Sequence, residues 1–202
     1  MGITAQQFKQ MQARMTGRSR AAAPAVESAP RASMAKDMVI LGLDPSLRGT
    51  GYGVIRTAKP CPQTLVQGTI VCPANWPRSR CLAKILQALR DVAREHRPTL
   101  CVVEGLFYAQ NLKTALIMGE ARGAALAAVA EAGLEIVEIA PRKVKQAIVG
   151  YGAAQKTAVA RMVQRMLALA ELPAPDAADA LALALTYAQE TSRYGLTTRK
   201  RI

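Results

Sequence analysis

Short apolar runs separated by glycine, proline and polar residues divide the first part of the chain into strands, and apolar positions three and four apart divide the rest mainly into helices. Residues 38–43, 51–56 and 65–71 read as three strands, joined by glycine- or proline-bearing turns short enough for antiparallel hairpins. Ser79 can cap a helix running to about His96, with Leu82, Ile85, Leu86, Leu89 and Val92 on one face. Pro98 then introduces a strand over 100–104. A long helix from about Leu112 to Ala132 stops at Gly133, and a strand over 134–139 follows. Pro141 opens a short helix through Ile148, Gly150-Tyr151-Gly152 breaks it, and two more helices are expected, from Ala154 to about Leu169 and from Pro175 or Asp176 to about Thr191. This order, β-β-β-α-β-α-β-α-α-α, predicts an α/β fold. Its five-stranded mixed sheet starts as an antiparallel meander, continues with parallel strands and carries helices on both faces.

The segments outside this pattern set the domain plan. Residues 1–36 are rich in Ala, Arg, Gln, Ser and Pro and read as a disordered basic arm, with helical tendency over 5–15. One folded domain is expected over 37–191, and 192–202 is a basic tail. Of the formal net charge of +13, the arm contributes six Lys/Arg against Glu27, and residues 191–202 contribute four with no acid. The body is therefore only mildly basic, and any nucleic-acid binding by the fold has to come from particular residues.

Cys61, Cys72, Cys81 and Cys101 form no CxxC pair and His96 is the only histidine, which argues against structural zinc and for reduced thiols in a cytoplasmic protein. No apolar run approaches the roughly 18 to 20 residues of a membrane span. The arginines of the arm also fit an organellar import sequence.

Four acids stand where apolar elements begin or end: Asp44, Glu104, Asp176 and Asp179. Each has an ordinary reading alone. Asp44 could be a solvated turn residue, and the Asp176/Asp179 pair could sit against a helix dipole. Brought together, they would repel one another and raise at least one carboxylate pKa unless divalent cations lay among them, which points to metal-dependent phosphate chemistry. The Asp-Pro-Ser-Leu-Arg-Gly-Thr-Gly segment from Asp44 to Gly51 would let backbone approach a phosphate beside that carboxylate.

Five segments, Leu41 to Ile55 (LGLDPSLRGTGYGVI), Val103 to Asn111 (VEGLFYAQN), Gly119 to Gly123 (GEARG), Val144 to Gly150 (VKQAIVG) and Asp176 to Ala182 (DAADALA), resemble in order and spacing the RuvC family of Holliday-junction resolvases, over about 38–190. The resemblance implies an RNase H-like fold and a homodimer that nicks four-way junction DNA symmetrically in recombination and repair, leaving 5′-phosphate ends. It implies two Mg²⁺ about 4 Å apart, with Mn²⁺ able to substitute, held by Asp44, Glu104, Asp176 and Asp179 as the catalytic acids. Phe107 matches the family's base-contacting aromatic residue, and Lys145 and Lys156 match basic residues near its active site. Arg48 and Arg122 are further candidate phosphate contacts, with a structural ion pair the alternative for either. A branch-migration complex of the RuvA/RuvB type is the implied partner.

The chain departs from the family pattern at Ser46, Gly105, Gln110 and Glu120, where Gly, a larger Gln or Glu, Lys and Gln are usual. None of these is one of the four acids. The competing readings are a non-catalytic junction-binding protein and another RNase H-like nuclease acting on RNA or other branched DNA.

Overall fold

A computed structural model of the chain describes residues 38–105, 111–193 and 200–201. The arm expected over 1–36 therefore lies outside the described residues, as do Phe107 and Gln110. The elements are β1 (Val39–Asp44), β2 (Gly49–Arg56), β3 (Gln63–Val71), α1 (Arg78–His96), β4 (Leu100–Glu104), α2 (Leu112–Glu131), β5 (Glu135–Ile139), α3 (Pro141–Val149), α4 (Lys156–Met166), α5 (Pro175–Arg193) and β6 (Lys200–Arg201). Among the described residues, no helix is long and apolar enough to cross a membrane.

The sheet runs β3-β2-β1-β4-β5-β6. β1, β2 and β3 form the expected antiparallel meander, while β4 and β5 continue parallel to β1. Lys200 and Arg201, expected in a basic tail, form a sixth strand antiparallel to β5, so the mixed sheet has six strands rather than five. Strand alternation sends Ile40, Val102, Val137 and Ile139 to a core under α3, α4 and α5. The intervening Leu41, Leu43, Cys101, Val103 and Ile136 face a second core under α1 and α2. Asp44 and Glu104 have the parity of Ile40 and Val102, which puts both on the α5 side.

Helix ends follow local chemistry. The Asn111 side chain caps α2 by accepting from the Lys113 N–H at 2.8 Å. At the other end of α2, Gly133 takes a positive φ of 75°, and the Leu134 N–H donates to the Val129 carbonyl at 3.2 Å. Ser79 is not a cap: Pro77 holds that position with extended backbone, its fixed φ suiting a helix entry, and Ser79 falls inside the first turn of α1.

Among the described glycines, the most crowded lie where α5 crosses β1 and β2. A side chain on Gly42 would run into the Ala180 carbonyl, and one on Gly51 into the carbonyl of Asp176. These glycines let the helix lie directly on the sheet backbone, and they set the height of the acids α5 carries. Gly42→Ala is expected to destabilise the protein by about 1–3 kcal/mol, because the clash is with main chain and only a shift of α5 relieves it. Chemical denaturation would measure this, and an unchanged midpoint would contradict the packing argument.

Candidate active site

β1 and β4 pair in parallel with Leu43 opposite Val103, so the next residue of each strand, Asp44 and Glu104, emerge side by side at the carboxyl ends of the central strands. α5 brings Asp176 and Asp179 to the same end of the sheet. A cavity of about 190 Å³ is lined by Asp44, Glu104, Asp179, Lys145, Lys156 and the apolar Pro141, Val144, Val159 and Leu183. Asp176 stands at its border, next to Gly49 and electrostatically coupled to Asp44. Four acids separated by up to 135 residues in sequence thus converge on one spot, and Lys145 and Lys156 converge with them.

Burial and mutual repulsion set the protonation of this cluster. Asp44 is pushed up to about 6, first by desolvation and then by the Asp179 charge, with Lys156 opposing. Glu104 is pushed up to about 7 by desolvation and by Asp44 and Asp179, while Lys156 and Lys145 pull it down. Lys156 donates to Asp179 at 2.8 Å, and that hydrogen bond raises its own pKa. Among the described residues, no three acid, His or Cys side chains are drawn together tightly enough to ligate one ion in this arrangement. The donor set nevertheless suits a hard divalent cation, because four carboxylates, two of them held toward neutrality by burial and repulsion, are what such a charge would stabilise.

A stability signature follows from these shifts. A carboxyl whose pKa is higher in the folded than in the unfolded state binds its proton more tightly when folded, so stability is fully present below the unfolded value and falls as pH rises toward the folded value. For Asp44 that window runs from 3.8 to about 6, and for Glu104 from 4.5 to about 7. In EDTA, wild-type Tm should fall across pH 4 to 7 relative to Asp44→Asn, which removes one of these carboxylates. Parallel Tm profiles for the two proteins would refute the strain assigned to Asp44.

The turn between β1 and β2 is built differently from the expectation. Gly51 lies inside β2 beneath α5 and does not cradle a phosphate; the reason is the contact with Asp176 described above. The turn is held by the buried Thr50 hydroxyl, which donates to the Ser46 carbonyl at 2.6 Å and accepts from the Ser46 N–H at 3.2 Å. A serine is accommodated there without disturbing Asp44. Gly105 has room for a side chain, since an added Cβ would meet its neighbours at 3.5 Å, ordinary contact distance. Glu120 makes an exposed ion pair with Arg78 at 2.9 Å, joining α2 to α1.

Of the two readings of Arg122, the fold takes the structural ion pair. Arg122 is 7% exposed, and its guanidinium donates to the Glu104 carbonyl at 2.6 Å and to the Glu138 carboxylate at 2.7 Å. Facing inward from α2, it supports the backbone of Glu104 from the opposite side of the sheet and has no surface from which to grip DNA. Arg48 is exposed and braces the loop before α1 by donating to the carbonyls of Pro73 and Trp76. An arginine in an Ala-rich helix looks like a surface residue, so its pattern alone leaves phosphate contact and structural ion pair both open. The available signal was Glu138, an acid inside an apolar strand on the same side of the sheet as α2.

Comparison with known proteins agrees with this geometry. A family model described as crossover junction endodeoxyribonuclease RuvC matches residues 40–187. The RuvC of Halorhodospira halophila is 44% identical over 153 residues, covering 76% of this chain and 91% of that protein. The RuvC of Bordetella avium is 45% identical over 151 residues, covering 75% and 83% respectively. Among solved structures, Thermus thermophilus RuvC in complex with Holliday junction substrate superimposes with a TM-score of 0.74 at 34% identity, over 82% of this chain and 99% of that one. The fold is accordingly RNase H-like, and the match spans every element from β1 to the body of α5. The chain belongs to the crossover junction endodeoxyribonuclease RuvC family.

Proposed function

We propose that this protein is a Holliday-junction resolvase, a structure-selective endodeoxyribonuclease that makes paired symmetric nicks in four-way DNA junctions and leaves ligatable 5′-phosphate ends. The observation that carries the reading is the convergence of Asp44 and Glu104, from adjacent parallel strands, with Asp176 and Asp179 from α5. The junction-bound Thermus relative supports the choice of substrate.

Asp44, Glu104, Asp176 and Asp179 would hold the divalent metal, two Mg²⁺ or Mn²⁺ in this proposal, which supplies positive charge to activate a water and to balance charge building on the phosphate. The chain's own residues do the rest. Lys145 and Lys156 on the cavity wall attract the phosphodiester and anchor it beside the acids. Val144, Val159 and Leu183 line the same cavity with hydrocarbon, which thins the water and strengthens every charge interaction within it. No protein nucleophile is needed. Phe107 is proposed to stack on a base opened near the crossover.

Paired cuts require two sites, and α2 offers the face for a homodimer. Leu112 and Leu116 are 76% and 58% exposed, and with Gly119 and Gly123 they fall on one side of the helix at spacings of four, three and four. Exposed glycines there would allow a close approach of two helices. The dimer is proposed to work in the cytoplasm at the nucleoid with a branch-migration complex of the RuvA/RuvB type.

The test is incubation of the purified protein with end-labelled four-way junction and matched duplex, in Mg²⁺ or EDTA. Symmetric, ligatable nicks in the junction alone, absent in EDTA, are expected. Binding without nicks would leave an architectural protein, and cutting of duplex or RNA would leave a broader nuclease.

A further inference from the structure

Among the described residues, some exposed cations are paired with an acid and others are not. Arg78, Arg90, Arg94, Lys143 and Lys156 each face a carboxylate within hydrogen-bond distance. Around Trp76 three others do not. Arg48 donates to the carbonyls of Pro73 and Trp76 and to the Cys81 sulfur, Arg80 stacks with its guanidinium carbon 3.8 Å from the centre of the Trp76 ring, and Lys84 donates to the Val71 carbonyl at 2.8 Å with its ammonium 5.2 Å from that ring. Among the described residues, no carboxylate pairs with any of the three.

Three long cationic side chains fixed by carbonyls and an indole, with no acid to neutralise them, form a preorganised anion site. Their mutual repulsion is relieved when a polyanion arrives and releases its counterions. Val71, 59% exposed, adds apolar surface suited to a sugar or a base edge. The cluster also has a fixed relation to the catalytic acids. Arg48 ends the β1–β2 turn that begins after Asp44, and the next residue, Gly49, lies against the Asp176 carboxylate. Arg48 in turn donates to the Trp76 carbonyl, which ties the end of this turn to the cluster.

We propose that Arg48, Arg80, Lys84 and Trp76 form a second binding site, which takes the phosphodiester backbone of junction DNA as it leaves the catalytic cavity across the β1–β2 turn. The proposal rests on the resolvase reading and adds a contact region on the α1 side of the sheet. Arg80 and Lys84 touch none of the four acids, so they tune DNA affinity and not the chemistry of the cut.

The test compares full-length Asp44→Asn protein, which should bind without cutting, with the same protein carrying Arg80→Gln and Lys84→Gln, titrated with a synthetic four-way junction over a range of salt. Removing two phosphate contacts should weaken binding and reduce the slope of log K against log salt by about 2. Trp76 is the chain's one tryptophan, so its emission should respond to junction binding in the parent protein. Circular dichroism and the free-protein emission spectrum check that the variant folds. An unchanged salt slope overturns the proposal whatever the fluorescence does. It would leave the resolvase reading standing, because that is judged separately by nicking with the wild-type protein.

Discussion

Asp44→Asn is expected to slow junction nicking by ~10³-fold or more while junction binding survives. Asparagine keeps the shape of the side chain and removes the charge, and losing one preorganised electrostatic group in a water-poor site costs at least ~10² to 10³ in rate. Asp44 is also the residue on which the others converge: it feels Asp176, Asp179 and Lys156, and its charge raises Glu104. Binding should hold or tighten, because the variant presents one negative charge fewer to the phosphates. Single-turnover cleavage of end-labelled junction beside a gel-shift titration separates the two effects. Cutting within tenfold of wild type would remove Asp44 from the chemistry, and loss of binding with cleavage would make its role structural.

The second large effect is expected from a residue that touches no substrate. Arg122→Ala should destabilise the protein by about 3–5 kcal/mol, the usual consequence of taking one partner from a buried ion pair. The change leaves Glu138 without its guanidinium at 2.7 Å and the Glu104 carbonyl without its donor. Replacing the pair together, Arg122→Met with Glu138→Leu, should recover much of that loss, since the uncompensated charge goes with its partner. The double variant should still nick more slowly than wild type if Arg122 fixes the backbone that carries Glu104. Urea denaturation reads stability, and the maximal rate at saturating metal reads positioning. A double variant as stable and as fast as wild type would reduce Arg122 to one half of a replaceable pair.

What could be read in advance depended on how the physical signal is encoded. The central strands were legible because β1 and β4 are near-continuous apolar runs, as strands covered on both faces must be, and the acids were conspicuous at their ends. β6 was not legible, because Lys200 and Arg201 pair with β5 through backbone groups and have no apolar pattern to announce it. Gly49 and Gly51 were read as bringing backbone close to a phosphate, although their spacing of two with Gly53, on one face of β2, marks a surface stripped of side chains. What the stripe receives, α5, lies more than 120 residues further along the chain, and local pattern does not encode that distance. For the same reason the choice between DNA contact and structural ion pair stayed open at Arg122, as its role depends on Glu138 in another element. Residues whose work is local were found; those defined by a distant partner were found only where the chemistry was distinctive.

The bare stripe under α5 has a consequence for the order of events during synthesis. β1 and β2 emerge early from the ribosome, and α5, with the last two acids, emerges after nearly the whole domain. At about 5–20 residues per second, several seconds separate the first of the four clustered carboxylates from the last. Through that interval Gly42 and Gly51 have no helix to cover them, and the half-built sheet holds Asp44 and Glu104 without Asp176 and Asp179. A nascent chain of this protein therefore lacks half of the acidic cluster, and the event that seals its core is the same one that completes the proposed site.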